Sequence, residues 1–107
     1  MIEKFENVTA VAKANVYFDG RVISHTIYTA AGERKTLGIF LPGSYEFGTA
    51  DAEIMDITDG ECEVLLPGSS EYVKVRAGDT FKLPGNSKYS LRCCVPVQYI
   101  CSYIPAK

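Results

Sequence analysis

Glu53 stands in the stretch EIMDITDG, where alternation puts it on one face with Met55 and Ile57 and leaves Ile54, Asp56 and Thr58 on the other, wetter face. A carboxylate among apolar neighbours is either solvated at a strand end, paired with a lysine, or buried as an acceptor for ligand hydroxyls or a cation. A cation would need further ligands, and the chain supplies few. His25 is the only histidine and lies between Ile23 and Ile27 in an early strand-like run. The cysteines, Cys62, Cys93, Cys94 and Cys101, contain no C-x-x-C pair and match no zinc-ribbon spacing. One carboxylate with scattered hydroxyls makes a poor transition-metal site, so no metal is expected.

The elements that must hold Glu53 read as strands throughout. VTAVAKANVYF is rich in β-branched residues up to the break at Asp19–Gly20, and a long N-terminal strand over Val8 to Tyr17 could pair across a two-fold axis. RVISHTIYT and RKTLGIF follow, the second stopped by Pro42–Gly43. SYEFGT alternates, with Tyr45, Phe47 and Thr49 on one side. EIMDITDGECEVLL reads as a hairpin turning at Asp59–Gly60. Further runs cover Tyr72 to Val75, Thr80 to Leu83, Tyr89 to Val95 and Val97 to Ile104. About ten short strands with Gly/Pro turns predict an all-β sandwich or jelly-roll barrel, with Glu53 pointing inward near its mouth.

Composition sets the frame. The 107 residues fit one domain, 1–107, in which residues 1–10 are a weakly specified N-terminal extension. With 47% hydrophobic residues a small core is available, and a net charge of -2 predicts neither a nucleic-acid stripe nor a basic membrane face. No transmembrane stretch or signal peptide is visible, so a cytoplasmic location is expected, with the thiols reduced and mostly buried.

Two segments, GSYEFGTADAEIMDITDG and GDTFKLPGNSKYSL, carry the glycine, acidic and proline spacing of the cupin motifs. Gly43 opens the first, Glu53 lies seven residues before Gly60, and Gly78 lies six before Pro84. On this resemblance the fold is a single-domain cupin-like jelly-roll barrel. Cupins place histidines around these positions; here Phe47, Thr49, Asp51 and Tyr89 stand there instead. From about Val11 onward the chain also resembles the small cupin-type bacterial pyrimidine/purine nucleoside phosphorylases, through ANVYFDGRV, GERKTLGIFLPGSYEFGTADAEIM, VLLPGSSEY, AGDTFKLPGNSKYSL and YICSY. That resemblance implies a metal-independent pentosyltransferase, homodimeric and cytoplasmic. It would convert diverse purine and pyrimidine nucleosides and inorganic phosphate to free base and α-D-ribose 1-phosphate, without a cofactor. A non-enzymatic cupin that binds a sugar or small metabolite is the alternative.

The implied reaction assigns work to particular residues. Phosphate wants a planar cationic fork, and Arg34, where a strand leaves a turn, is the first choice. Glu53 would accept from ribose hydroxyls and stabilise positive charge developing on the sugar. Tyr45, Phe47, Tyr89, Tyr99 and Tyr103 offer flat walls for a base, with Tyr45 and Tyr89 as the substrate-binding choices. Thr49 and Ser87 are hydroxyl candidates at the mouth. Lys82 reaches substrate if it faces inward, although its alternation with Phe81 and Leu83 favours water. Cys101, which alternates with Tyr99 and Tyr103, reads as packing.

Overall fold

The structure, a computed structural model, describes residues 2–105. Among them are eleven strands: β1 (Thr9–Ala10), β2 (Asn15–Tyr17), β3 (Val22–Tyr28), β4 (Arg34–Phe40), β5 (Gly43–Gly48), β6 (Ala52–Asp59), β7 (Glu61–Leu65), β8 (Val73–Arg76), β9 (Thr80–Leu83), β10 (Lys88–Cys93) and β11 (Val97–Ile104). They form two sheets. The larger runs β1-β3-β4-β11-β6-β9, with β2 also on the outer edge of β3; the smaller runs β5-β10-β7-β8.

The all-β expectation stands, but the closed barrel is corrected. Closure needs a ladder joining the two sheets. Among the described residues each sheet instead ends on its own edge strands, β9 and the N-terminal segment on one, β5 and β8 on the other. The fold is an open two-layer sandwich.

The Asp59–Gly60 hairpin is corrected as well. β6 is paired on both sides, to β11 and β9, whereas β7 pairs with β10 and β8 in the opposite sheet. Asp59–Gly60 is therefore a corner where the chain changes layers. Gly60 suits it, since its φ is +83° and a Cβ would collide with the Pro96 carbonyl oxygen. Pro42–Gly43 and Pro84–Gly85 serve the same purpose after β4 and β9. The turn residues thus mark crossings between layers more often than hairpins.

The long N-terminal strand is also divided. Thr9 and Ala10 pair with Tyr28 and Ile27, then Asn15 to Tyr17 pair with Ser24 to Val22. Five steps along the first segment thus match three along β3, so two extra residues loop out. Ahead of this edge, Ile2 and Phe5 lie with Ile23, Leu37 and Ile39 around a groove on the outer face of the large sheet.

Period-two alternation builds the interior. Val22, Phe40, Met55, Ile57 and Val97 of the large sheet face Val64 and Leu91 of the small one, all nearly fully buried. Each such side chain contributes about 1.5–3 kcal/mol relative to exposure. Toward the end where β4 and β6 begin and β11 finishes, the inward positions turn polar, and the apolar packing gives way to a cavity.

Candidate active site

The cavity, about 260 Å³, lies between the layers; Arg34, Glu53, Tyr89, Tyr99, Cys101 and Tyr103 line it, and Tyr17, Ser24 and Phe47 are among its other walls. Three adjacent strands set its polar floor. β11 runs between β4 and β6, which places Tyr103 opposite Glu53 and Cys101 between Thr36 and Met55. Because inward positions repeat every second residue, Tyr99, Cys101 and Tyr103 point the same way as Glu53 and Arg34.

Each polar group is held by a specific neighbour. The Arg34 guanidinium lies 3.8 Å from the centre of the Tyr103 ring, a cation–π contact at the cavity rim. Tyr103 Oη is 3.2 Å from Thr36 Oγ1. Tyr99 lies flat over Gly38, where a Cβ would come within 2.5 Å of the ring, so the strand needs glycine there for reasons of room. Asn15 donates from Nδ2 to Ser24 Oγ and Thr26 Oγ1, tying the N-terminal segment to the wall. Phe47 stacks on Tyr89 with ring centres 5.6 Å apart and closes the opposite side.

Burial dominates the electrostatics. It raises the Glu53 carboxyl above its ordinary value; the Cys101 thiol and the Arg34 cation act against that rise, and Asp51 adds to it. Burial, then the Glu53 charge, keeps the Tyr89 hydroxyl well above its usual range and pushes the Cys101 thiol up to about 12. Tyr99 and Tyr103 are also raised, first by burial. At neutral pH these four side chains are therefore hydrogen-bond donors around one carboxyl, with one guanidinium at the edge.

The structure brings Glu53, Arg34 and Tyr89 together, and places Tyr45, Thr49, Ser87 and Lys82 outside the cavity lining. Tyr45 is buried and spends its hydroxyl on the Leu41 carbonyl, 2.6 Å away. Thr49 and Ser87 are 3.0 Å apart, and both donate to the Pro84 carbonyl at 2.7 Å, which pins the end of β5 to the loop before β10. Lys82 is exposed while Phe81 and Leu83 are buried, so it projects from the outer face. His25 is likewise exposed on the outer side of the large sheet, beside the N-terminal groove.

Sequence reasoning did not find Ser24 or Tyr17, and it gave Cys101 only a packing role. The alternation from Val22 on β3 and the spacing of Tyr99, Cys101 and Tyr103 were the available signals. Among the described residues no three His, Cys, Asp or Glu side chains gather as a metal site would require. No helix of the structure is long and apolar enough to cross a membrane.

Two facing sheets with a polar cavity at one end define a cupin-type fold. A cupin described as RmlC-like, from Shewanella frigidimarina, superposes with a TM-score of 0.68 at 18% identity, covering 89% of this chain and 85% of that one. Within that class the sequence is more specific: residues 12–103 match the model of the pyrimidine/purine nucleoside phosphorylase family, and the chain belongs to that family. A pyrimidine/purine nucleoside phosphorylase of Wolinella succinogenes is 53% identical over 104 residues, covering 97% of this chain and 99% of its own. A solved protein of unknown function from an Acinetobacter species superposes with a TM-score of 0.92 at 40% identity, over 94% of this chain and 98% of that one.

Proposed function

We propose that the cavity between the sheets is where phosphate and a nucleoside meet, and that the chain catalyses phosphorolysis of purine and pyrimidine nucleosides. A phosphate oxygen attacks the anomeric carbon on the face opposite the base. The carbon–nitrogen bond breaks, its electron pair leaves with the base, the proton of the attacking hydrogen phosphate ends on the base, and the products are free base and α-D-ribose 1-phosphate. Arg34 docks phosphate at the rim. Glu53 accepts from the ribose hydroxyls and faces the electron-poor sugar. Tyr89, held protonated, donates a hydrogen bond toward the leaving base.

Beyond family membership, the observation that carries this reading is the pairing of one carboxyl and one guanidinium in a single cavity of neutral donors. Phosphate needs the cation, an oxocarbenium-like sugar needs the anion, and neither group is neutralised by a direct ion pair with the other. The cavity volume suits this division. Sites that enclose a drug-sized ligand span roughly 300–1,000 Å³. A cavity of about 260 Å³ takes the sugar, with phosphate at the Arg34 rim and the base against the Phe47 and Tyr89 rings, aromatic faces that stack on any base.

The same reading makes the working form a homodimer in the cytoplasm. Val11, Val16 and Tyr17 stay exposed on the N-terminal edge segment and offer a second copy an apolar seat. The free cysteines at 62, 93, 94 and 101 suit a reducing compartment.

The test incubates purified protein with a panel of nucleosides, with and without phosphate, and follows base and pentose 1-phosphate by chromatography. Sedimentation of the same preparation is expected to give two chains per particle. Base release only with phosphate is the expected result. Release without phosphate points to a hydrolase, and no turnover with any nucleoside leaves a metabolite-binding protein.

A further inference from the structure

Cys101 is 2% exposed on β11, and its Sγ lies 3.5 Å from Glu53 Oε1. Buried free thiols are most often inert filling. This one stands in the wall of the cavity, beside its single carboxyl. A nucleophilic role fits poorly, since burial and the Glu53 charge keep the thiol protonated. A protonated thiol next to a carboxylate is a donor.

We propose that Cys101 is a positioning residue for Glu53: its S–H donates to Oε1 and fixes the carboxyl plane, leaving Oε2 free for a ligand hydroxyl. This rests on the role assigned to Glu53 above. Without the thiol, the short link from β6 would let the carboxyl turn outward to water or toward the Arg34 guanidinium.

The other groups that face Glu53 come from several elements: Arg34 on β4, Asp51 in the loop before β6, Tyr89 on β10 and Tyr103 on β11. Across the ladder on β9 stands Leu83, which carries no charge. Tyr103 and Tyr89 also feel Cys101, Tyr103 through a hydrogen bond, so the S–H is isolated by comparing a donor-free variant with one that keeps a donor at the same place. Because the S–H favours the ionised carboxyl, losing it raises the Glu53 pKa and moves the acid limb of activity upward.

The experiment compares Cys101→Ala and Cys101→Ser in protein labelled with ¹³C at glutamate carboxyls, the Glu53 signal being identified by its loss in Glu53→Gln. In Cys101→Ala the Glu53 titration is expected to move up by about half a unit to one unit, equivalent to about a threefold to tenfold change in protonation. The acid limb of kcat/KM should move with it. Serine, a stronger donor, should restore both. If the alanine variant does not fold, Cys101→Val, which fills the space without a donor, takes its place. An unchanged Glu53 titration in the donor-free variant overturns the proposal. The titration requires no turnover, so positioning can stand or fall separately from phosphorolysis.

Discussion

Glu53→Gln is expected to lower kcat/KM for phosphorolysis by about 10²–10³-fold while the folded protein becomes more heat-stable at neutral pH. The loss of rate follows from removing a fixed negative charge facing a sugar that turns positive in the transition state, an effect of the size found for single preorganised electrostatic groups. Glutamine keeps the shape and can still accept a hydrogen bond, so ground-state binding should suffer less than kcat.

The gain in stability has the opposite cause. Burial holds the Glu53 carboxyl above 4.5, its ordinary value, so the native state binds that proton more tightly than the unfolded chain does. The stability this lends is fully present below the ordinary carboxylate range and is lost as pH climbs through the raised pKa. Glutamine carries no charge to lose. The difference in Tm between variant and parent should therefore be small in acid and grow toward pH 7. For the same reason the acid limb of kcat/KM in the parent should lie above 4.5. Steady-state rates and thermal melts across pH check both halves, and full activity in the variant would remove Glu53 from the chemistry.

Arg34→Gln is expected to raise the KM for phosphate by about 10- to 100-fold, with a smaller change in the KM for nucleoside. A hydrogen bond to a charged group is worth roughly 1.5–3 kcal/mol, which spans about that range. Arg34→Lys should fall between the two. It keeps the charge but loses the two-pronged fork, and its ammonium does not stack on Tyr103 as the guanidinium does at 3.8 Å. Because Arg34 is exposed, the phosphate KM of the parent should also rise with salt. Titration of phosphate at saturating nucleoside decides the matter. A variant that changes only the nucleoside KM would assign Arg34 to the sugar or base.

How much of this was legible in the sequence depends on the range of the interaction involved. Strand positions could be read because alternation and Gly/Pro turns are local. Glu53 shares its face with Met55 and Ile57, and both are almost fully buried. Layer membership was not legible. Asp59–Gly60 has the local chemistry of a hairpin, and only the ladders of β6 to β11 and β9 reveal a corner. Closure failed for the same reason, being a property of pairings far apart in sequence. Among the candidate ligand residues, Thr49 and Ser87 look like free mouth hydroxyls until their mutual contact, 38 residues apart, is seen. Cys101 has the alternation of a core residue, and only the void beside it distinguishes a wall from packing.

The position of β11 bears on how the molecule comes into being. Among the described residues the last strand in chain order is central in the large sheet, clamped between β4 and β6. Until it emerges, those two strands have no partner between them, and a chain still being synthesised exposes two edges of unpaired backbone N–H and C=O groups. Such long-range closure is slow and leaves the intermediate prone to aggregation. Tyr99, Cys101 and Tyr103 arrive on that same strand. The step that completes the sheet also completes the cavity, so a chain halted before β11 lacks both.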